Sequence, residues 1–148
     1  MHLTDHFSLA ELTQSQTAAR CGIDNTPPPE IIKNLTRIAQ VLEQIRSLLG
    51  ARPIVVTSGY RAPALNQAVG GALSSAHVQG LAVDFICPSF GTPLAICKRL
   101  AEAGLEFDQL IHEGTWVHIG LAPLSQRPRR QILTAHFGHS PARYSTGL

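Results

Sequence analysis

Length, composition and charge place the chain among small globular proteins. It has 148 residues, of which 44% are hydrophobic and 15% are charged, and its formal net charge is +2. A chain of this length buries roughly two-thirds of the surface that it exposes when unfolded, so we expect residues 1–148 to form a single domain. The composition is too apolar for a disordered protein, and the apolar residues are too evenly spread for a membrane span. We expect a soluble monomer.

The basic residues do not indicate a nucleic-acid partner. The net charge is small, and the only dense basic cluster, Arg127 with Arg129 and Arg130, is interpreted as the solvated start of a strand. The first residues lack a basic stretch followed by an apolar one, so we expect synthesis in the cytoplasm without an export signal.

Two further residue types are assigned no role. The cysteines are odd in number and lack C-x-x-C spacing, which argues against a disulfide framework and a cysteine-based zinc site. We expect all of them, Cys21, Cys87 and Cys97, to be buried reduced thiols. The histidines near the termini match no ligand motif, and we expect them, His2, His6, His136 and His139, to be exposed to solvent.

The N-terminal part of the chain is predicted to be helical. Ser8 and Glu11 have the S-x-x-E spacing of a capping box, so a short helix is expected to begin there and a second helical turn to follow at 15–20. After three consecutive prolines, apolar residues recur at helical spacing along one stripe, which predicts the main core helix, ending at Gly50. The stripe consists of Ile31, Leu35, Ile38, Leu42, Ile45 and Leu49.

Short strands are predicted in the rest of the chain. They are expected at 53–57, 81–86, 107–113, 116–121 and 131–134, because these segments are β-branched or alternate between apolar and polar residues. A helix is predicted from Thr92 to about Ala103, with Gly104 ending it in the left-handed conformation. Residues after His136 are expected to be a loose end.

Two histidines and one aspartate in separated motifs are candidate metal ligands. His77 and Asp84 lie in one stretch, with Gly80 allowing the chain to turn between them, and His118 lies on a later strand. Catalytic zinc is typically held by three nitrogen or oxygen ligands, with the fourth position left to water, and these residues supply that number. Such a set leaves the site positively charged, which lowers the pKa of the bound water toward ~7.

The hairpin predicted at 107–121 offers a candidate general base. A two-residue turn at 114–115 pairs Ile111 with His118 and places Glu113 on the same face as His118. His112 then points to the opposite face. We therefore predict that Glu113 takes the proton from the attacking water, whereas a turn longer or shorter by one residue favours His112.

Two residues near the predicted ligands are candidates for contact with the substrate. Arg61 follows a buried strand, and its planar guanidinium suits a carboxylate or a developing oxyanion. Ser75, two residues before His77, is interpreted as a turn former, with a hydrogen bond to a ligand or to the substrate as the alternative.

These motifs together resemble those of the zinc D-alanyl-D-alanine peptidase family, particularly its compact single-domain branch in phages and bacterial chromosomes. The resemblance implies an α+β fold like that of hedgehog signalling domains, with a small antiparallel sheet packed against helices. It also implies that His77, Asp84 and His118 bind zinc and that Arg61 polarises the substrate. The most specific motif is S-x-H-x-x-G-x-A-x-D at 75–84. The supporting motifs are Phe7-Ser8-Leu9-Ala10-Glu11-Leu12, Ser58-Gly59-Tyr60-Arg61, Leu65-Asn66, Phe107-Asp108-Gln109-Leu110-Ile111 and Trp116-Val117-His118.

One position departs from this family. Many members have an acidic residue three positions before the last histidine, where this chain has Thr115. Glu113 is therefore predicted from the hairpin and is not carried over from the family.

The predicted function is hydrolysis of peptide bonds in peptidoglycan stem peptides by a zinc metallopeptidase resembling a phage endolysin. Two kinds of bond fit this prediction. A carboxypeptidase would cut the bond to a terminal D-alanine, and an endopeptidase would cut a cross-link. The alternative is a non-catalytic zinc-binding module of a phage particle or cell-wall complex. Because peptidoglycan lies outside the membrane, we expect release by a phage lysis system or delivery in a virion.

Overall fold

The computed structural model describes residues 1–138 and 142–148. Within this part the chain forms five α-helices, one short 3₁₀ helix and six strands. It divides into two compact units, Met1–Glu43 with Val56–Val83 and Gln44–Val55 with Asp84–Leu148. The division falls within one helix and two strands, and the single domain stays a prediction.

The first unit begins with two short helices whose ends follow the predicted signals. Helix α1 (Leu9–Thr13) has both bonds of the capping box, because Ser8 Oγ accepts from the Glu11 N–H and Glu11 Oε1 accepts from the Ser8 N–H, each at 3.2 Å. Helix α2 (Gln16–Cys21) is capped by Ser15 and ends at Gly22, which is left-handed at φ 66°. Both helices form where the sequence predicted them.

Helix α3 (Pro29–Leu48) is the main core helix. Its predicted stripe is buried except for Ile31, which is half-buried near the start of the helix. Burial of such a stripe stabilises a helix more than intrinsic propensity does. Gly50 has a φ of 79°, in agreement with the predicted end.

Short elements follow α3 in the first unit. They are strand β1 (Val55–Ser58), helix α4 (Pro63–Ala68) and the 3₁₀ helix Ala76–Gln79. The loop between β1 and α4 carries Arg61, and the 3₁₀ helix carries His77.

The second unit contains strand β2 (Ala82–Ile86) and helix α5 (Pro93–Glu102), which Thr92 caps as predicted. The predicted left-handed stop at Gly104 is wrong, because the helix ends at Ala103 in an extended conformation and Gly104 has no positive φ. Arg130 Nη2 instead donates to the carbonyls of Ala101 and Ala103, at 3.0 Å each. A side chain from a distant segment thus donates hydrogen bonds to carbonyls at the end of the helix, which a left-handed glycine turn would otherwise satisfy.

The strands form a six-stranded sheet in the order β1-β2-β4-β3-β5-β6. The last four are β3 (Gln109–His112), β4 (Val117–Gly120), β5 (Gln131–His136) and β6 (Arg143–Thr146). Strand β3 pairs antiparallel with β4 and parallel with β5, and β5 pairs antiparallel with β6. The predicted α+β fold is confirmed, with a sheet that is mostly antiparallel and contains the parallel pair β3/β5.

Strand β6 corrects the prediction of a loose end after His136. Backbone pairing from Leu133↔Thr146 to His136↔Arg143 joins it to β5. The Thr134 hydroxyl also donates to the Gly147 carbonyl at 2.7 Å. The pairing satisfies backbone groups that β5 would otherwise expose as an edge strand.

The basic cluster lies where a solvated start of a strand was predicted. Its three arginines are exposed and precede β5 directly. Arg129 forms an ion pair with Asp108, with 2.8 Å between Nη2 and Oδ2. Arg130 lies with its guanidinium carbon 4.9 Å from the Phe107 ring centre.

The cysteines are all free thiols, as predicted, but one of them is not buried. Cys87 and Cys97 are buried, and burial raises the pKa of the Cys97 thiol to about 12. Cys21 is exposed as the last residue of the short helix α2, so its predicted burial is wrong.

The terminal histidines are exposed where they are described. His2, His6 and His136 are exposed as predicted, and His139 lies outside the described residues. Among the described helices, none is both long enough and apolar enough to span a membrane.

Candidate metal centre

His77 is held in a short and tightly specified segment of the first unit. Ser75 caps the 3₁₀ helix, and its hydroxyl accepts from the His77 N–H at 3.3 Å, which agrees with its interpretation as a turn former. Gly80 ends the helix at φ 68°, and a Cβ atom there would lie 2.8 Å from Ile31 Cγ2. Glycine is therefore required by both conformation and space. The result is an imidazole that is only 4% exposed.

The hydrogen bond made by His77 determines the tautomer of its imidazole ring. Its Nδ1 lies 2.7 Å from the carbonyl oxygen of Gly59. A carbonyl only accepts, so in the neutral imidazole Nδ1 carries the proton and Nε2 carries the lone pair. Metal-binding histidines are commonly oriented in this way by a backbone carbonyl. A side chain at position 59 would overlap the Leu12 carbonyl, so glycine allows this close packing.

Arg61 lies next to the His77 segment and is held by several bonds. Its backbone N–H donates to the His77 carbonyl at 3.1 Å. In its guanidinium, Nη1 donates to Asn66 Oδ1 at 3.2 Å and Nε to Ser58 Oγ at 3.4 Å. Asn66 is buried and also donates to the Ala72 carbonyl at 2.8 Å, so it joins Arg61 to the loop before His77.

Asn25 anchors the backbone on both sides of Arg61. Its Nδ2 donates to the carbonyls of Thr13, at 2.8 Å, and Tyr60, at 3.0 Å. Its Oδ1 accepts from the Ala62 N–H at 2.7 Å. One side-chain amide thereby fixes the peptide groups before and after Arg61 and ties them to the end of α1.

Arg61 also lines a cavity of about 710 Å³ within the first unit. This volume is in the range of sites that hold small ligands. The lining is uncharged except for Arg61, and it combines polar with apolar side chains. It comprises Gln14, Ser15, Gln16, Thr17, Ala19, Val56, Thr57, Ser58, Tyr60, Arg61, Leu65 and Val69.

Asp84 and His118 form a close pair in the second unit. Asp84 lies on β2 and is 7% exposed, and His118 lies on β4. His118 Nδ1 is 2.8 Å from Asp84 Oδ1. Two atoms that bind the same tetrahedral zinc ion lie ~3.3 Å apart, given bonds of about 2.0 Å, so both can serve as ligands after a shift of a few tenths of an ångström.

Glu113 lies at the end of β3, where the predicted hairpin register is confirmed. Ile111 is opposite His118, and the Glu113 N–H donates to the Trp116 carbonyl at 3.1 Å. The Glu113 side chain is 9% exposed. Burial raises the pKa of its carboxyl, His118 lowers that pKa and the charge of Asp84 raises it further. Glu113 therefore shares an electrostatic environment with both residues of the pair.

His112 is the alternative base, and Thr115 is the residue that departs from the family pattern. His112 is opposite Val117, which places it on the other face of the hairpin, as predicted. Thr115 is exposed in the turn, and its N–H donates to the Glu113 carbonyl at 3.1 Å. The register thus favours Glu113, whose role as a base stays a prediction.

The three predicted ligands lie together. His77, Asp84 and His118 each offer one ligand atom, and these atoms lie within 4.8 Å of one another. Two imidazoles and one carboxylate are a ligand set typical of catalytic zinc. The chemistry of these donors, with Nδ1 of His77 held by the Gly59 carbonyl, therefore fits a zinc ion.

Sequence reasoning did not identify Asn25 and gave Asn66 no separate role. Asn25 lies between α2 and α3 and bonds backbone groups as many as 37 residues away, so no local pattern marks it. The sequence indicated Asn66 only as part of a supporting motif, because its hydrogen bond to Arg61 depends on the fold.

Comparison with known proteins agrees with this geometry. The family model described as Peptidase M15 matches residues 5–120, a range that includes all three candidate ligands together with Arg61 and Glu113. A search of curated proteins finds no match. Because the matched range covers most of the chain, the protein belongs to peptidase family M15, the family of zinc D-Ala-D-Ala metallopeptidases.

Proposed function

We propose that the protein uses zinc to hydrolyse peptide bonds in the D-alanine-containing stem peptides of peptidoglycan. The observation that carries the proposal is the grouping of His77, Asp84 and His118, whose ligand atoms lie within 4.8 Å of one another. Three such ligands leave a coordination position for water, as hydrolysis requires. Membership of peptidase family M15 supports the substrate class.

When bound, zinc supplies a Lewis acid that polarises a carbonyl and acidifies water. In the proposed mechanism Glu113 accepts a proton from the attacking water and delivers it to the leaving amine as the C–N bond breaks. Its burial makes the carboxylate a stronger base than an exposed glutamate, because burial raises its pKa.

Arg61 is proposed to stabilise the negative charge that develops on the carbonyl oxygen of the substrate. Its hydrogen bonds to Ser58 and Asn66 restrict the guanidinium before substrate arrives. A donor that is already oriented stabilises a developing charge without the cost of reorganisation. His77 contributes Nε2 as a ligand, since its Nδ1 is held by the Gly59 carbonyl.

The type of cleavage and the location of the protein are proposed from the same substrate class. A carboxypeptidase that removes a terminal D-alanine and an endopeptidase that cuts a cross-link both fit the site. We propose a monomer that is made in the cytoplasm and reaches the cell wall through a phage lysis system or in a virion, as an endolysin does.

A non-catalytic zinc-binding module of a phage particle or cell-wall complex is the second candidate. It is favoured by one observation, the exposed Thr115 at the position where the family resemblance implies an acidic residue. Such a module would bind zinc through the same residues and leave peptides intact.

Mass spectrometry of purified muropeptides incubated with the zinc-loaded protein tests the proposal. We expect either loss of a terminal alanine or conversion of cross-linked dimers to monomers, and the product identifies the bond. A chelator should abolish cleavage, and added zinc should restore it. His77→Ala should be inactive, whereas the exposed His136→Ala should match the wild type. Intact muropeptides with zinc bound would support the non-catalytic module.

A further inference from the structure

The last strand carries a tyrosine on the same face of the sheet as Glu113. The parallel register of β3 and β5 pairs His112 with Thr134, and its continuation by one residue sets Glu113 beside Ala135. Ala135 is paired directly with Tyr144 on β6. Residues in register on neighbouring strands project from the same face. Glu113, Ala135 and Tyr144 therefore form a row across the second unit.

The middle residue of this row leaves room for the tyrosine to approach Glu113. Ala135 has only a methyl group, and it is 7% exposed. Neighbouring strands are about 4.8 Å apart, so two strand spacings separate Tyr144 from Glu113. A tyrosine side chain that leans over Ala135 covers most of that distance.

The electrostatics of the phenol agree with this placement. Burial raises the pKa of Tyr144, and the charges of Glu113 and Asp84 raise it further. The phenol therefore stays protonated at neutral pH and is a hydrogen-bond donor. The residue is nevertheless 54% exposed, so part of its side chain is accessible to a ligand.

A second aromatic residue of the C-terminal segment lies against the hairpin turn that follows Glu113. The ring centres of Phe137 and Trp116 are 6.0 Å apart. A Cβ atom on Gly114 would lie 3.7 Å from Phe137 Cε2. Phe137 and Tyr144 both follow residue 120, where the match to the peptidase family ends. The C-terminal segment therefore lies outside the matched range and borders Glu113.

We propose that Tyr144 contacts the substrate and donates a hydrogen bond to an oxygen of the bound peptide beside Glu113. This inference rests on the proposed peptidase function. A neutral hydrogen bond made equally to the substrate and the transition state strengthens binding and leaves the chemical step unchanged. The hydroxyl thus acts mainly through KM.

Steady-state kinetics of Tyr144→Phe on a muropeptide substrate test the inference. We expect KM to rise about 2- to 10-fold with kcat within about twofold, as for the loss of one neutral hydrogen bond. The matched control is Ser145→Ala, which also removes one hydroxyl from β6 but on the opposite face, where it bonds His136. Zinc content and melting temperature should be unchanged in both variants.

Two results would overturn the inference in an active enzyme. One is a KM of Tyr144→Phe equal to that of the wild type, and the other is an equal rise in KM in Ser145→Ala. If the wild type cleaves no muropeptide, the proposed function fails, and binding is then measured by calorimetry on zinc-loaded protein. Weaker muropeptide binding by Tyr144→Phe than by wild type would support the contact, and equal or undetectable binding by both would overturn it.

Discussion

Nδ1 of His118 lies 2.8 Å from Oδ1 of Asp84, and both side chains are largely shielded from solvent. A carboxylate can stand in this relation to a histidine as a fellow metal ligand or as an outer partner that orients the ring. The grouping with His77 favours the first role, because without Asp84 the group found among the described residues has two protein ligands. The two roles predict different losses of zinc affinity when Asp84 is substituted.

Asp84→Asn should therefore weaken zinc binding by more than about 100-fold, since loss of an outer partner alone costs about 10- to 100-fold. The substitution keeps the shape of the side chain and a hydrogen-bond acceptor for His118. Competition with a chromophoric chelator measures the affinity. Asp108→Asn removes the same charge from an aspartate that pairs with Arg129, and it should bind zinc like the wild type. A loss of about 100-fold or less in Asp84→Asn would contradict its role as a ligand, and within that range a loss of about 10- to 100-fold would identify it as an outer partner.

Glu113→Gln should lower kcat by about 10²- to 10⁴-fold, the usual contribution of a general base, and leave zinc bound. Glutamine has the same shape but takes no proton. His112→Gln alters the neighbouring residue, which projects from the other face of the hairpin, and should retain activity. Full activity in Glu113→Gln, or a larger loss in His112→Gln, would remove Glu113 as the base.

Asn25→Ala should destabilise the protein by about 2–3 kcal/mol, because it removes three hydrogen bonds worth about 1 kcal/mol each. Denaturant unfolding measures the change. It should also lower kcat/KM under conditions in which the variant is folded, since the backbone on both sides of Arg61 loses its anchor. In an Arg61→Ala background the same substitution should have little further effect on kcat/KM.

The control for Asn25 is Arg52→Ala, which removes a single exposed bond to the Ser89 carbonyl and should be nearly neutral. If Asn25→Ala lowers kcat/KM by the same factor with and without Arg61, then it does not act through Arg61.

The stability of the protein should fall at acidic pH partly through Asp108. Hydrogen bonds and charge interaction with Arg129 hold the pKa of the Asp108 carboxyl below its usual value, against the effect of burial. A carboxyl with a lowered folded-state pKa stabilises the fold above its unfolded pKa of about 3.9, and this contribution is lost as the pH falls through the folded pKa. The pair is partly exposed, so we expect about 1 kcal/mol or less.

Unfolding free energies of wild type and Asp108→Asn at several pH values check this prediction. The wild type should be more stable above about pH 5, and the difference should shrink below about pH 4. A difference in unfolding free energy that grows as the pH falls would contradict a lowered pKa of Asp108 in the folded state.

The features that follow from local patterns were predictable from the sequence. The Ser8 and Glu11 capping box depends on residues three positions apart, and it forms as predicted. The opposition of Ile111 and His118 follows from the length of the turn and the two-residue period of a strand. The three predicted ligands were found because their motifs are specific, and the fold brings them together.

The features that depend on contacts between distant segments were not predicted from the sequence. Strand β6 is short and exposed, so it lacks the apolar alternation that marks a half-buried strand. Arg130 replaces the expected glycine turn after α5 from 27 residues away. The role of Asn25 likewise appears only once its backbone partners are in place.

X-ray absorption spectroscopy of the zinc-loaded protein shows which kinds of atom bind the metal. We predict a four-coordinate ion with nitrogen and oxygen neighbours at about 2.0–2.1 Å, including the multiple-scattering signal of two imidazoles, and a loss of one imidazole in His77→Ala. A zinc–sulfur distance of about 2.3 Å, or a first shell without imidazole, would contradict the assignment of the metal to His77, Asp84 and His118.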